Sequence, residues 1–102
     1  MYSMVEIKWD EDTKIKFKKL IERIPVFMRP IAENKVIKKA QELANKQKRT
    51  VMNEKDLVDA FFSETPGGFY GPMKVDMEEL DIDYTKYGYE RDEWKSVMNK
   101  NI

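Results

Sequence analysis

At 102 residues, the chain is long enough for one domain with a single hydrophobic core and too short for two independent ones. It has no cysteine and no histidine, which excludes disulfides, thiolate and imidazole catalysis, and the usual zinc, iron–sulfur and haem ligands. Its nineteen basic and nineteen acidic residues cancel, whereas dedicated nucleic-acid domains are usually basic overall. We therefore predict a protein that is not an enzyme and carries no metal or cofactor.

The charges are nevertheless distributed unevenly along the chain. Residues 1–13 hold one basic and four acidic residues (net −3), residues 14–49 twelve and three (net +9), and residues 50–102 six and twelve (net −6). Such a basic block can mark a polyanion-binding surface, because lysines and arginines that contact phosphates release counterions. The other interpretation, which we favour, is that the acidic C-terminal half neutralises the block within the domain.

The first predicted helix begins after Asp10, a residue type that suits the N-cap position. Apolar residues then follow at helical spacing: Phe17, Leu20, Ile21 and Ile24. Pro25 ends this helix, since proline cannot donate to the helical ladder and restricts the residue before it. Residues 25–30 form an elbow that carries Val26, Phe27 and Met28, and Pro30 suits the first turn of the next helix.

The second and third predicted helices contribute most of the expected core. The second runs to about Gln47, and its apolar stripe consists of Val36, Ile37, Ala40, Leu43 and Ala44. The third has the clearest start in the chain, because Asn53 and Asp56 have the spacing of a capping box. Its apolar face consists of Leu57, Val58, Phe61 and Phe62.

Residues 65–68, Thr-Pro-Gly-Gly, predict a loop before the more acidic C-terminal region. Pro72 is expected to open a fourth helix with Met73, Met77 and Leu80 on one face, and Gly88 to stop a turn or short helical turn. A last helical segment, residues 90–100, is also expected. Four aromatic residues in this region either pin it across the core, which we favour, or stack on a ligand: Tyr84, Tyr87, Tyr89 and Trp94.

Together these elements predict an all-α fold. We expect a small three-helix core in residues 1–64 and a helical extension in residues 65–102, which packs back on the core or stays partly mobile. The longest apolar runs are far shorter than the roughly 20 residues that cross a bilayer. The start of the chain, MYSMVEIKWDED, has neither the basic nor the apolar region of a signal peptide. We therefore predict a soluble, cytoplasmic protein with no membrane partner.

Twelve residues of this pattern resemble a known family. They are Trp9, Asp10, Ile24, Pro25, Val26, Phe27, Arg29, Ala44, Met52, Asn53, Leu57 and Ala60. The resemblance covers about residues 7–62 and is to the small helical domain at the C-terminal end of the B subunit of light-independent protochlorophyllide reductase. Stand-alone small members of that family also exist. Gln41 and Lys48 depart from its pattern, since they occupy places where the family usually has Glu and Gly.

This resemblance implies a role without catalysis. The reductase is an iron–sulfur, ATP-dependent enzyme that reduces a tetrapyrrole ring, and its nitrogenase-like body has no counterpart in these residues. What the resemblance implies is an accessory or protein-interaction domain associated with a redox or tetrapyrrole enzyme. Such a domain would dock on a redox partner or cover the macrocycle.

A second resemblance keeps nucleic-acid binding open. Arg49, Val51–Met52, Asp56–Leu57 and Ala60 are similar to the stretch that follows the long central helix of archaeal histones. In that family a basic loop precedes a short helix with an aspartate near its start. The alternative function is therefore a histone-fold-like nucleic-acid-binding protein, in which the basic block contacts DNA.

Three residues are the candidate partner-binding residues: Trp9, Phe27 and Arg29. An aromatic ring and a guanidinium on a rigid corner suit protein recognition, and we expect Trp9 to lie nearby. The structural alternative is that Trp9 and Phe27 close the core while Arg29 pairs with an acidic residue. We expect a protein partner, with a tetrapyrrole ligand or a homodimer as further hypotheses.

Overall fold

The structure is a computed structural model that describes residues 7–91. The regular elements in this part of the chain are β1 (Lys8–Trp9), α1 (Glu11–Glu22), α2 (Arg29–Lys46), β2 (Val51–Met52), α3 (Glu54–Glu64) and α4 (Tyr70–Glu79). Three short 3₁₀ turns, Val26–Met28, Gly67–Phe69 and Tyr84–Tyr87, connect or follow the helices. The predicted all-α fold class is confirmed, with two-residue strands as the one addition among the described residues.

Two of the helices begin with side-chain caps, as their sequences predicted. The Asp10 carboxylate accepts a hydrogen bond from the Thr13 backbone N–H at 2.7 Å, ahead of α1. Asn53 and Asp56 form a complete capping box ahead of α3, each side chain accepting from the other residue's backbone N–H. These bonds satisfy amide groups that a helix start otherwise leaves unpaired.

The two strands bring these helix starts together. β1 and β2 pair in parallel, with Lys8 opposite Val51 and Trp9 opposite Met52. Each strand immediately precedes a capped helix, so α1 and α3 start side by side.

One buried cluster spans the described elements. α3 packs along α2, where Ala40 and Ala44 are fully buried and allow the two helices to approach closely. The region after residue 65 contributes to the same cluster through Met73, Met77, Ile82 and Tyr84. As far as residue 91, the predicted extension therefore packs back on the core. The boundary between residues 64 and 65 as a domain boundary stays a prediction.

The C-terminal elements differ slightly from their predicted bounds. α4 begins at Tyr70 and not at Pro72, because the first turn of a helix needs no backbone donor and accepts proline at its third position. Gly88 ends the last 3₁₀ turn in the left-handed conformation, with φ of 95°, as predicted. The helix predicted for residues 90–100 lies outside the described residues beyond Arg91.

Candidate functional site

The elbow at residues 25–30 and the residue that follows it, Ile31, expose a group of large apolar side chains. Val26 is 70% exposed, Phe27 81%, Met28 48% and Ile31 62%. We call these four residues the elbow patch. Isolated exposed apolar residues are normal, but adjacent ones at a single corner are typical of interaction surfaces. The interpretation in which Phe27 closes the core is wrong, because its ring faces solvent.

Arg29 fixes the shape of the elbow from within. Its Nε donates to the Ile24 carbonyl and its Nη2 to the Glu22 carbonyl, both at 2.8 Å. These carbonyls lie at the C-terminal end of α1, where they lack helical donors and where the helix dipole favours a cation. Arg29 is therefore a positioning residue, and it pairs with backbone carbonyls where the structural alternative expected an acidic residue.

Trp9 lies away from the elbow. Its ring stacks on Phe17 with ring centroids 4.9 Å apart, and it packs half-buried against the core. It precedes the N-terminal end of α1, whereas the elbow follows the C-terminal end, and twelve helical residues span about 18 Å. The structure thus brings Phe27 and Arg29 to one corner and places Trp9 at the opposite end of α1.

Residues 66–72, which we call the glycine turn, repeat the backbone of the elbow between α3 and α4. Pro25 has φ and ψ of −52° and 139°, and Pro66 has −59° and 143°. In each case a three-residue 3₁₀ turn follows, closed by a 2.9 Å hydrogen bond to the proline carbonyl, from Met28 or from Phe69. The two helix–helix connections therefore share one local geometry.

The residue after each 3₁₀ turn also donates hydrogen bonds to backbone carbonyls at or near the end of the preceding helix. At the elbow this residue is Arg29, which bonds the carbonyls at the end of α1. At the glycine turn it is Tyr70, whose hydroxyl donates to the Phe62 carbonyl near the end of α3 at 2.7 Å. Chemically different side chains thus anchor both turns to the preceding helix.

The basic block is neutralised in part. Lys16 pairs with Glu54 at 2.5 Å, and Arg23 contacts Asp76 and Glu79 at 3.1 and 2.5 Å. Seven other lysines on α1 and α2 have no ion pair among the described residues: Lys14, Lys18, Lys19, Lys35, Lys38, Lys39 and Lys46. Neutralisation by the acidic half thus accounts for some of these cations and leaves a positively charged outer surface.

Arg49 and Asp56, on which the histone resemblance rests, form an internal ion pair. The Arg49 guanidinium makes two hydrogen bonds to the Asp56 carboxylate, at 2.7 and 2.8 Å. Asp56 is 3% exposed, and its carboxylate also accepts from the Asn53 backbone in the capping box. A buried charge requires such pairing, so both residues hold the start of α3 in place.

Residues 82–89, the tyrosine strap, pack against α3 and α4, with Ile82 and Tyr84 buried in the core cluster. Tyr84 donates to Glu78 at 2.6 Å, Tyr87 to Glu54 at 2.5 Å and Tyr89 to Asp59 at 2.6 Å. The expectation that these tyrosines pin the C-terminal region across the core is confirmed as far as the strap; Trp94 lies outside the described residues.

Burial and hydrogen bonds shift the pKa values of two strap tyrosines and of the Glu54 carboxyl. Burial, together with the hydrogen bond to Glu54, raises the pKa of Tyr87 well above its usual value, and burial and Asp59 do the same for Tyr89. Burial opposes the ionisation of Glu54, but hydrogen bonds from Lys16 and Tyr87 outweigh it and lower the pKa of that carboxyl. The contact between Tyr87 and Glu54 is therefore a protonated phenol on an ionised carboxylate at neutral pH.

Ile31 was not among the predicted site residues. Its position carries a signal, because it lies five residues before Val36 and falls outside the apolar stripe of α2. An apolar residue out of register on an otherwise amphipathic helix points to solvent.

In the part of the chain that the structure describes, no group of three or more carboxylates is arranged to hold a metal ion.

Comparison with known proteins identifies the family of the chain. Residues 3–90 match the family described as "Protein of unknown function (DUF2621)", and the chain belongs to this family. No curated protein and no solved structure matches it. Within residues 7–91, no helix is both long and apolar enough to cross a membrane.

Proposed function

We propose that the protein is a non-catalytic protein-interaction domain and that the elbow patch is its docking surface. The observation that carries this proposal is the difference between the elbow and the glycine turn. The same backbone path is built at the glycine turn with Gly67 and Gly68, where the elbow has Val26 and Phe27. The turn itself therefore does not require apolar side chains at these two positions.

The geometry of the elbow suits a docking surface. Proline, the 3₁₀ turn and the Arg29 anchor hold the patch in one conformation, so little conformational entropy is lost when a partner binds. Phenylalanine and methionine are enriched at protein–protein interfaces, and the β-branched side chains of Val26 and Ile31 add apolar area beside them. Removal of this apolar area from water favours association.

The accessory role rests on the resemblance to the C-terminal domain of the protochlorophyllide reductase B subunit. On that basis the partner is a redox or tetrapyrrole enzyme in the cytoplasm. A tetrapyrrole bound directly would shift its Soret band and quench tryptophan fluorescence on titration with the protein. The alternative function is nucleic-acid binding, and the seven unpaired lysines on α1 and α2 favour it as a second candidate.

The test is a quantitative pull-down with full-length tagged protein, with and without nuclease. The informative variant is Val26→Gly/Phe27→Gly, which gives the elbow the side chains of the glycine turn. The matched control is Phe69→Ser, because Phe69 is an exposed aromatic residue of the glycine turn. We expect a protein whose capture survives nuclease treatment. The control should capture it, and the elbow variant should not.

Two results would contradict the proposal. If every captured protein binds the elbow variant as well as the wild type, the elbow patch is not the docking surface. If the captured material is nucleic acid and disappears with nuclease, the histone-like alternative replaces the proposal. Circular dichroism of both variants, compared with the wild type, checks that the fold is intact.

A further inference from the structure

The elbow patch lies within a positively charged surface. Residues 11–48, which form both helices that meet at the elbow, contain eleven lysines and arginines against five aspartates and glutamates. Two of these cations, Lys16 and Arg23, turn towards acidic residues of α3 and α4. The seven lysines without ion pairs therefore give the outer surfaces of α1 and α2 an excess of positive charge.

The spacing on α2 connects this charge directly to the patch. Ile31, Lys35 and Lys38 stand at positions i, i+4 and i+7, and all three are exposed. Residues at this spacing share one face of a helix, and seven residues cover about 10 Å along its axis. A chain segment of two or three helical turns that covers Ile31 can therefore reach both lysines.

The apolar side chains argue against nucleic acid at this surface. Bases bind to exposed protein surfaces by stacking on aromatic rings and by hydrogen bonds. Val26, Met28 and Ile31 offer neither, and they form most of the elbow patch. Phosphates would be satisfied by the lysines, but the apolar area between them would gain nothing from a sugar–phosphate backbone.

A second copy of the chain fits poorly at the same place. A symmetric dimer through the elbow patch would bring the lysines of α1 and α2 in one copy against those in the other. Like charges that meet at an interface oppose association. The partner that satisfies both features of the surface combines apolar side chains with carboxylates.

We infer that the elbow binds an acidic amphipathic segment of a partner protein. Apolar side chains of that segment cover Phe27 and its neighbours, and its aspartates or glutamates pair with Lys35 and Lys38. The inference rests on the proposed function, because it names the chemistry of the partner at the same docking surface. Complementary charge at the rim chiefly raises the association rate and selects the partner.

The first part of the test identifies the bound segment. A photoreactive residue, Phe27→p-benzoylphenylalanine, is introduced into the full chain in cells, with Phe69→p-benzoylphenylalanine as the control at the glycine turn. Mass spectrometry of the product formed on irradiation locates the crosslinked peptide. We expect a peptide with a clear excess of carboxylates and with apolar residues on one helical face, obtained at position 27 and not at position 69.

The second part measures the role of charge. Lys35→Gln/Lys38→Gln is compared with Lys46→Gln/Lys48→Gln, an equal loss of charge at the far end of α2. We expect the first variant to weaken capture of the crosslinked partner about three- to tenfold at low salt, as for two exposed ion pairs. The difference should shrink at about 0.5 M salt, where exposed charges are screened.

The outcomes separate this inference from the proposed function. If the elbow variant Val26→Gly/Phe27→Gly loses the partner but the two lysine variants bind it equally, only the acidic character of the partner is wrong. A crosslink to nucleic acid, to a second copy, or to a segment without excess carboxylates also overturns the inference. If position 27 crosslinks no more than position 69, the docking surface itself is wrong.

Discussion

The elbow and the glycine turn connect their helices in the same way and differ in what they expose. Each consists of a proline, a 3₁₀ turn and a side chain that reaches back to the preceding helix. Between these shared parts, the elbow carries Val26 and Phe27 where the glycine turn carries Gly67 and Gly68. A Cβ atom at either glycine would meet nothing within 4 Å, so sterics do not explain the difference.

This comparison separates structural from functional demands within one molecule. Because the glycine turn shows what the backbone requires, it serves as an internal reference for the elbow. The proline and the anchoring side chain are common to both, and we assign them to the fold. The third position of the 3₁₀ turn is an exposed apolar residue in both, Met28 or Phe69. The apolar side chains of Val26 and Phe27 are particular to the elbow, and we assign them to binding.

The largest expected effect contrasts a buried aromatic residue behind the glycine turn, Phe62, with the exposed aromatic residue of the elbow, Phe27. Phe62 lies behind the glycine turn, 5% exposed, and stacks on Tyr89 with ring centroids 3.9 Å apart. We expect Phe62→Ala to lower the free energy of unfolding by about 3–5 kcal/mol, because it removes a buried ring and leaves a cavity. Phe27→Ala should change it by less than about 0.5 kcal/mol, since an exposed ring contributes little packing.

Urea denaturation followed by circular dichroism measures both changes. A loss of more than 2 kcal/mol for Phe27→Ala would mean that the elbow patch is part of the core, and the comparison between the turns would fail.

The next effect is a dependence of stability on pH. It concerns the tyrosine strap, which packs against Phe62 behind the glycine turn. The folded protein holds the protons of Tyr87 and Tyr89 more tightly than the unfolded chain, whose tyrosines ionise near pH 10. Their contribution to stability is therefore complete below pH 10 and is lost as pH rises above it. Each tyrosine should add a slope of up to about 1.4 kcal/mol per pH unit in that range.

Urea titrations of the wild type and of Tyr89→Phe between pH 8 and pH 12 test this expectation. Lysines titrate in both proteins, so the difference between the two curves isolates the phenol. Parallel curves would show that the Tyr89 hydroxyl ionises equally in the folded and unfolded states.

The two anchors should contribute similar, smaller amounts. Arg29→Met keeps the length of the side chain and removes both hydrogen bonds to the end of α1. Tyr70→Phe removes the single bond to the Phe62 carbonyl. We expect each variant to lower the free energy of unfolding by about 1 kcal/mol, typical of hydrogen bonds that compete with water.

Arg29→Met should also weaken partner binding, because the elbow patch loses its fixed shape, whereas Tyr70→Phe should not. Isothermal titration of the identified partner with each variant checks the difference. Equal weakening by both variants would show that the effect is global destabilisation.

The smallest expected effect concerns the glycines themselves. Gly67→Ala and Gly68→Ala should each stabilise the protein by about 0.4–1 kcal/mol, because alanine reduces the freedom of the unfolded chain and fits this backbone. Thermal unfolding of the double variant shows the change. A loss of stability would mean that this turn needs glycine, and the glycine turn could then not serve as the reference for the elbow.

Much of the fold followed from local sequence. The caps at Asp10 and Asn53 and the left-handed Gly88 depend on neighbouring residues and were predicted from them. Pro25 was expected to end the first helix, but α1 ends at Glu22 and Pro25 directly precedes the 3₁₀ turn of the elbow. The start of α4 was misplaced by two residues, since proline is tolerated anywhere in the first helical turn. The parallel pairing of Lys8–Trp9 with Val51–Met52 was not predicted, because it joins segments more than forty residues apart.

The candidate site was predicted in part. Phe27 and Arg29 belong to one short segment, and its prolines marked it as a corner. Trp9 was expected near Phe27 and Arg29. Its distance from them depends on α1, because Trp9 precedes this helix and the elbow follows it. The hydrogen bonds from Arg29 to backbone carbonyls were not predicted, because they depend on which way its side chain turns.

The sequence by itself determined the all-α class, the helix boundaries set by caps and prolines, and the exclusion of cysteine and histidine chemistry. These properties depend on residue type and on contacts within a few positions along the chain. Only the tertiary structure decided which cations pair with distant acids, which apolar residues remain exposed, and that two turns share one backbone. Those properties depend on how the helices pack, because burial of one face leaves the side chains of the other in water.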